Sequence, residues 1–529
     1  MTPLIIIIYV ICGAYMLLNF KHALQMFQQN SYRISRYWKW LSKNTGTAWQ
    51  LVDLACVFML FSTLIPIQAA VLIAGLVALT KFFLILKKKY KKPLVFTQRV
   101  WRLYIVTGLI SVGIALALIF IPGIGSATYP RPMLTLGTIF LLTSFSYLPV
   151  ILANVILMPV EKFIQQRYIN DAKRILRNMP DLNIIGITGS YGKTSTKHYL
   201  QRILSEKYDV LITPGSFNTP MGVVRTIREY LKPYNEIFIC EMGAKQKKDI
   251  KEICDIVHPK SGIITAVGPM HLESFKSIEN VQSTKFELAD AIPSNGFIVV
   301  NNDFEFCANR PVTNTREIRY GITHPEGCDY IATDIRYTSG GTSFKVSGPD
   351  GLHLDLHTRL LGEANISDLL AAIVMALQTG VEPDRIRYAV GAIAQVEHRL
   401  SMKTTPGGVT IIDDAFNSNP VGSRMAVEVL SHFKDGKRII VTPGMIELGS
   451  QQYELNKNLG QHIGNNVDVA ILVGEYNREA LREGVESTGF PSDNLHIVAT
   501  FNDAQAVLST LLKTGDTILY ENDLPDTFK

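Results

Sequence analysis

The chain has little cysteine and, over its first third, almost no acid. Six cysteines occur among 529 residues (Cys12, Cys56, Cys240, Cys254, Cys307 and Cys328), with no Cys-x-x-Cys pair and no His-rich spacing beside them. That pattern excludes a disulfide framework and a structural zinc site. Residues 1–180 hold 3 Asp/Glu against 19 Lys/Arg, whereas residues 181–529 hold 43 against 33, so the net charge of +6 hides two regions of opposite sign. No internal repeat and no low-complexity tract occurs. The opening segment lacks both a basic stretch and a small-residue cleavage site, and further apolar runs follow it, so a cleaved signal peptide is not expected.

What the first third does have is apolar runs. Residues 3–19, 50–66, 68–86, 103–121 and 133–157 each approach the roughly 20 residues a helix needs to cross a bilayer, and five spans are expected. Lys21, Arg33, Arg36, Lys39 and Lys43 follow the first run; Lys87, Lys88, Lys89, Lys91, Lys92, Arg99 and Arg102 follow the third; the other two connections hold only Arg131. The positive-inside rule then puts the N-terminus outside and residues 158–529 in the cytoplasm, giving a multi-pass protein of the cytoplasmic membrane. The basic excess is a topology signal and an attraction to membrane lipid, not a nucleic-acid footprint. Trp38, Trp40 and Trp101 fit interfacial anchors, and Asp53 and Lys81, near the ends of apolar runs, are expected to snorkel.

The rest reads as soluble. Val160, Ile164, Tyr168, Ala172, Ile175 and Met179 recur at helical spacing among basic residues, predicting an amphipathic linker helix over 160–181. Beyond it, β-rich runs at 183–187, 210–213, 236–240, 262–267 and 296–300 alternate with helical stretches, which predicts βαβ units and a largely parallel sheet. Residues 330–360 alternate between two turns, Ser339-Gly-Gly and Gly348-Pro-Asp-Gly, and suggest antiparallel hairpins packed beside that sheet. Strand candidates at 409–412, 438–442, 469–473, 496–499 and 517–520 make a second α/β unit. The expected organisation is a membrane region (1–159), the linker (160–181), a phosphate-loop, parallel-sheet ATPase domain (182–396) and a C-terminal Rossmann-like α/β domain (397–529).

Chemistry concentrates in Gly186-Ile-Thr-Gly-Ser-Tyr-Gly-Lys-Thr-Ser-Thr196. At a strand-to-helix turn, Gly189 and Gly192 allow successive N–H groups, including those of Ser190 and Ser195, to face one anion. Lys193 would reach the terminal phosphates of a nucleotide and Thr194 would hold Mg²⁺. Four further groups follow: Glu241 at the end of an apolar strand, His271 in Gly-Pro-Met-His-Leu-Glu, Lys285 in Ser-Thr-Lys-Phe-Glu, and Asp413-Asp414 in a strand that ends in Ala-Phe-Asn-Ser-Asn-Pro. Strand ends of this kind border the crevice where parallel sheets bind ligands.

Together these strings resemble the Mur ligase family, ATP-dependent amide-forming enzymes of cell-wall peptide synthesis, over about residues 182–520. Asp-Asp-Ala-Phe-Asn-Ser-Asn-Pro and Gly444-Met-Ile-Glu-Leu-Gly are most similar to the branch that adds D-alanyl-D-alanine to a UDP-linked muramoyl tripeptide. The resemblance implies that Lys193 binds the β/γ-phosphates of ATP; that Thr194, Glu241 and His271 coordinate Mg²⁺; and that Lys285 is the lysine some members carbamylate to make a metal ligand. It further implies nucleotide contacts from Asn365, Arg399 and Asp414, and a substrate-facing loop at Gly215-Ser-Phe-Asn-Thr-Pro-Met-Gly with Asn218 and Thr219. The implied partners are a muramoyl-peptide or other carboxylate, free or lipid-linked, and an amino-acid or dipeptide amine.

The chain departs from the family in three places. Apolar runs stand where the family has a UDP-sugar-binding domain. Ala364 replaces a His in Gly-x-His-Asn, with Asp368 where Asn is usual, and Tyr520-Glu-Asn-Asp replaces a Lys-Gly-Ser-like ending. Two other functions therefore stand beside the cell-wall ligase. One is a Mur-like ligase making poly-γ-glutamate or another amino-acid conjugate, and the other is a membrane scaffold regulated by nucleotide.

Overall fold

The computed structural model describes residues 2–48, 50–62, 64–88, 90, 93–120, 131–270, 272–338, 341–394, 400–415 and 419–523. The described residues divide into two compact units, residues 2–166 and residues 167–523.

The first unit is helical: α1 (Thr2–Gln29), α2 (Ile34–Lys43), α3 (Thr45–Ala48), α4 (Leu51–Leu60), α5 (Ile67–Lys87), α6 (Gln98–Phe120), α7 (Arg131–Ser144) and most of α8 (Tyr147–Arg177). Among the described residues, four helices are long and apolar enough to cross a membrane, by length and composition, namely those at 4–29, 67–87, 98–117 and 147–177, where five spans were expected. The run at 50–66 forms only the 10-residue α4, about 15 Å long against a hydrocarbon core of roughly 30 Å, and Pro66 ends the irregular stretch after it. The run at 133–157 is broken at Phe145–Ser146, so its first half is the short α7 and its second half opens α8. α8 then continues through Pro159 to Arg177, so the expected linker helix is not an element of its own.

Large apolar side chains of this unit point outward, among them Phe58, Leu76, Leu109 and Phe163. Polar groups gather inside instead. Asp53 is fully buried and pairs with Lys81 at 2.8 Å, so these two residues do not simply snorkel. Tyr15 donates to Asp53 at 2.9 Å, and Asn19 and Gln50 both donate to the Thr143 carbonyl at the end of α7. A helix that stops inside an apolar bundle leaves carbonyls that only side chains can satisfy.

The second unit opens with β1 (Asn183–Thr188), α9 (Lys193–Leu204), β2 (Val210–Ile212), α10 (Pro220–Glu229), β3 (Ile237–Glu241), α11 (Asp249–Val257) and β4 (Ser261–Ile264). There follow α12 (Leu272–Phe275), α13 (Ile278–Ala291), β5 (Phe297–Asn301), α14 (Glu305–Ala308), β6 (Arg316–Gly321), β7 (Tyr330–Thr338), β8 (Gly341–Ser347), β9 (His353–Thr358), α15 (Glu363–Gln378) and α16 (Pro383–Gly391). The strands form one sheet in the order β2-β3-β1-β4-β5-β6-β7-β8-β9, parallel from β2 to β7 and antiparallel through β8 and β9. The predicted hairpins thus extend the sheet rather than pack beside it.

Strands such as Asn183-Ile-Ile-Gly-Ile-Thr are buried nearly throughout, as a sheet covered on both faces requires. One face packs on α9, α15 and α16; the other packs on α10, α11, α13 and the end of α8, where Ala172 is buried.

A second sheet follows, built from β10 (Ser401–Thr404), β11 (Thr410–Asp414), β12 (Arg438–Thr442), β13 (Val469–Val473), β14 (Leu495–Val498) and β15 (Thr517–Glu521). Its order is β10-β11-β15-β12-β13-β14, with only β10 antiparallel. Helices α17 (Pro420–Ser431), α18 (Gln452–Asn466) and α19 (Arg478–Glu486) cover one face, and α20 (Phe501–Leu511) covers the other.

Candidate active site

β1 lies between β3 and β4, so the chain leaves β1 toward one side of the sheet and later crosses to the other. Such a crossing opens a crevice at the carboxyl ends of the strands. The glycine-rich loop 189–192 sits there, flanked by the end of β3 (Glu241) and the segment after β4 (Thr265–Gly268). Ser190 donates its N–H to the Ala266 carbonyl at 2.7 Å, and its hydroxyl lies 3.1 Å from both the N–H and the carbonyl of Gly268. Gly189 passes so close to β4 that a Cβ would fall 2.1 Å from Thr265 Oγ1. Gly192 has φ 78° and caps α9.

The loop's functional side chains converge within one turn. Thr194 Oγ1 lies 3.2 and 3.3 Å from the two oxygens of Glu241, and the Asn218 amide donates to Glu241 Oε1 at 2.9 Å. Gly243 N in turn donates to the Asn218 backbone carbonyl at 2.7 Å. Lys193 folds back on its own loop, donating to the carbonyls of Gly189 (2.6 Å) and Ser190 (3.2 Å).

Glu241 is almost completely buried. Burial alone would raise its pKa, but the charges of Lys197 and Lys193 and the Asn218 hydrogen bond outweigh it and hold the carboxyl below its usual range. Lys285 on α13 is also buried, and burial followed by the charge of Lys193 pulls its amine well below the usual lysine value.

Thr194 and Glu241 fit a magnesium ion. Neighbouring oxygens of an octahedron with bonds of about 2.1 Å stand about 3.0 Å apart, close to the separation found here. Among the described residues no three His, Cys, Asp or Glu side chains cluster as metal ligands. Two such oxygens suit a cation that keeps waters and takes substrate phosphates.

The other expected residues are placed as follows. Ser195 is buried in the first turn of α9. Thr219 caps α10, its hydroxyl accepting from Gly222 N, with Pro220 at the first helical position. Asn365 is buried, accepting from the Tyr199 hydroxyl at 2.8 Å and donating to the Leu361 carbonyl. Asp414 ends β11 and accepts from Leu400 N at 3.2 Å. His271 and Arg399 lie outside the described residues.

Three residues at the site were not singled out from the sequence. Lys197 is fully buried against Glu241 at 2.9 Å. Asp368, remarked on only as a departure, packs on Gly192. Tyr191 is half-buried, its ring against Phe304 and its hydroxyl end close to Gly268. Lys197 carried a signal, since it lies four residues after Lys193 and shares its helix face.

A largely parallel α/β sheet with polar residues gathered at its carboxyl edge, followed by a second largely parallel α/β sheet, defines the class of α/β protein that binds ligands in such a crevice. Residues 187–376 match the family described as Mur ligase middle domain, and residues 398–520 match Mur ligase, glutamate ligase domain. Together these take in more than half of the chain, which belongs to the Mur ligase family.

The UDP-N-acetylmuramoyl-tripeptide–D-alanyl-D-alanine ligase of Escherichia coli is 29% identical over 302 residues, covering 57% of this chain and 66% of that protein. The Bacillus subtilis enzyme of the same name is 27% identical over 341 residues, covering 64% and 72%. Matched against the E. coli relative, the chain thus spans just under two thirds of its length. Among solved structures, MurF from Acinetobacter baumannii superposes with a TM-score of 0.62 at 26% identity, covering 68% of this chain and 77% of the other. MurF ligase from Thermotoga maritima, in complex with ADP, gives 0.60 at 26% identity, covering 68% and 80%.

Proposed function

We propose that the protein is an ATP-dependent amide ligase of bacterial cell-wall synthesis that joins D-alanyl-D-alanine, or a similar amine, to a muramoyl peptide at the cytoplasmic face of the membrane. The observation that carries this reading is the pairing of Thr194 with Glu241 directly behind the glycine-rich loop. The named relatives support the substrates.

In this reading the loop is a phosphate loop. Lys193 exchanges its contacts with Gly189 and Ser190 for the β/γ-phosphates, and the N–H groups at the start of α9 face the same anion. Thr194 and Glu241, with His271, would hold Mg²⁺, whose charge would neutralise that of the phosphates. The substrate carboxylate attacks the γ-phosphate, giving an acyl phosphate and ADP. The amine then attacks the carbonyl and expels phosphate. Electrostatic stabilisation and positioning supply the rate. Arg399, Asp414 and Asn365 contact nucleotide, and Asn218 and Thr219 belong to the loop that faces the carboxylate substrate.

Lys285 is carbamylated: its neutral amine adds to CO₂, releasing a proton and leaving an anion beside the metal site. Its burial and its depressed basicity support that chemistry.

Residues 1–159 form the membrane region in this reading, 160–181 the connection, 182–396 the ATP-binding domain and 397–529 the C-terminal domain. The outward apolar faces of Phe58, Leu76 and Leu109 support lipid contact. The basic segments that follow residues 3–19 and 68–86 support a cytoplasmic position for the catalytic domains, within reach of a lipid-linked acceptor.

Purified protein in detergent or nanodiscs should release ADP with muramoyl tripeptide, soluble or lipid-linked, plus D-alanyl-D-alanine. No activity with either acceptor overturns the cell-wall assignment. A second reading, in which the product is poly-γ-glutamate or another conjugate, is favoured by the ending of β15. There Glu521 is buried against Ser423 and Thr442, at a position where the D-alanyl-D-alanine branch has Lys-Gly-Ser. Mass spectrometry of the product decides between the two.

A further inference from the structure

Lys197 is a fully buried lysine in the second turn of α9, and its ammonium group is completely used. Its Nζ lies 2.9 Å from Glu241 Oε2 and donates to the carbonyls of Thr213 (2.9 Å) and Gly215 (2.8 Å). Burying a lysine costs desolvation that an apolar residue of the same length avoids. The fold spends that cost at the acid assigned to the metal and at the root of the loop carrying Asn218. Asn218 closes the arrangement from the other side, donating to Glu241 Oε1. The two carboxylate oxygens are therefore held by different partners, one cationic and one neutral, while the Thr194 hydroxyl stands beside both.

This arrangement fixes more than orientation. The single charge of Glu241 is matched by Lys197 at 2.9 Å, and Lys193 is a second cation acting on it. A divalent cation arriving alone meets a carboxylate that is already paired. One arriving with a nucleotide brings several negative charges that also engage Lys193.

We propose that Lys197 is a positioning residue that orients Glu241 and neutralises it, so that the divalent cation enters this site only together with nucleotide phosphates. The inference rests on the nucleotide-site reading above, but it is independent of which acceptor and amine the enzyme uses.

The test is Mn²⁺ binding followed by electron paramagnetic resonance on the full-length protein, with and without ADP. Wild type should bind Mn²⁺ with ADP and show no site for Mn²⁺ alone. Lys197→Met should gain affinity for free Mn²⁺ by about tenfold or more, because Glu241 then loses the cation paired with it at 2.9 Å. Lys197→Arg, which keeps the charge, should behave as wild type toward free Mn²⁺.

Wild-type protein that binds free Mn²⁺ as tightly as Mn²⁺ with ADP overturns the proposal without any variant. So does a folded Lys197→Met protein that gains no Mn²⁺ affinity. Failure to bind Mn²⁺ even with ADP sinks the nucleotide-site reading itself, a different result from either.

Discussion

Asp368 of α15 packs so closely on Gly192 that a Cβ on the glycine would lie 2.0 Å from the Asp368 Oδ1 atom. The helix that covers the sheet therefore shapes the loop directly. Gly192 also has φ 78°, a region that costs a residue with a side chain about 1–2 kcal/mol. Gly192→Ala should lower the melting temperature and weaken ADP binding more than tenfold by calorimetry. Gly215→Ala is the control. It has φ 48° but open space around it, and it should cost only the backbone penalty.

Asn218→Ala removes the neutral partner of Glu241 without touching the loop glycines. Loss of a group that orients a metal ligand typically costs 10–100-fold in metal affinity. The apparent Mg²⁺ constant for ADP release should rise by about that much, while the melting temperature changes little. An unchanged Mg²⁺ dependence would show that Asn218 serves only the local turn.

Lys285 gives a chemical prediction. Activity should fall when the protein is prepared and assayed free of CO₂ and recover on adding bicarbonate. Lys285→Ala should be inactive and partly restored by a short aliphatic carboxylic acid. Full activity without CO₂ would remove the carbamate from the mechanism.

In the helical unit the Asp53–Lys81 pair predicts an asymmetry. Asp53 is fully buried, whereas the Lys81 side chain is 23% exposed and can reach toward polar surroundings. Lys81→Met strands a buried carboxylate and should destabilise by about 3–5 kcal/mol. Asp53→Asn leaves a lysine that can relocate, and it should cost distinctly less. Thermal unfolding in detergent, followed by tryptophan fluorescence, measures both.

Arg438 and Asp468 tie β12 to β13 through two side-chain hydrogen bonds, 2.9 and 2.8 Å. The Arg438 hydrogen bond, larger than the opposing effect of burial, holds the Asp468 carboxyl below its usual value. A lowered acid stabilises the fold fully above its unfolded value of about 3.9, and the contribution disappears as pH falls through the lowered folded value. The pair is partly exposed, so Asp468→Asn should cost only about 0.5–1 kcal/mol at neutral pH. The difference from wild type should vanish in urea titrations at strongly acidic pH.

The second unit was largely legible because its strands are buried on both faces and read as short apolar runs. Asn183-Ile-Ile-Gly-Ile-Thr and Arg438-Ile-Ile-Val-Thr are examples, and the glycine-rich loop follows the first of them. β6 escaped because Arg316, Glu317 and Arg319 interrupt it, and β10 because it is four residues long and polar. The break at Phe145–Ser146 leaves no mark in an apolar run, since a helix can end there only because Asn19 and Gln50 satisfy the Thr143 carbonyl from distant positions. Lys197 was overlooked for a related reason. A lysine in a helix ordinarily faces water, and only the fold turns this one inward.

The folded-back lysine of the glycine-rich loop has a consequence for energetics. Lys193 already has carbonyl partners 2.6 and 3.2 Å away, so an arriving phosphate must take the lysine from the loop before it gains the charge. Contact is exchanged for contact, and only the surplus of phosphate over carbonyl counts toward affinity. On the nucleotide-site reading proposed above, a polyphosphate should displace these peptide oxygens more readily than a singly charged anion does.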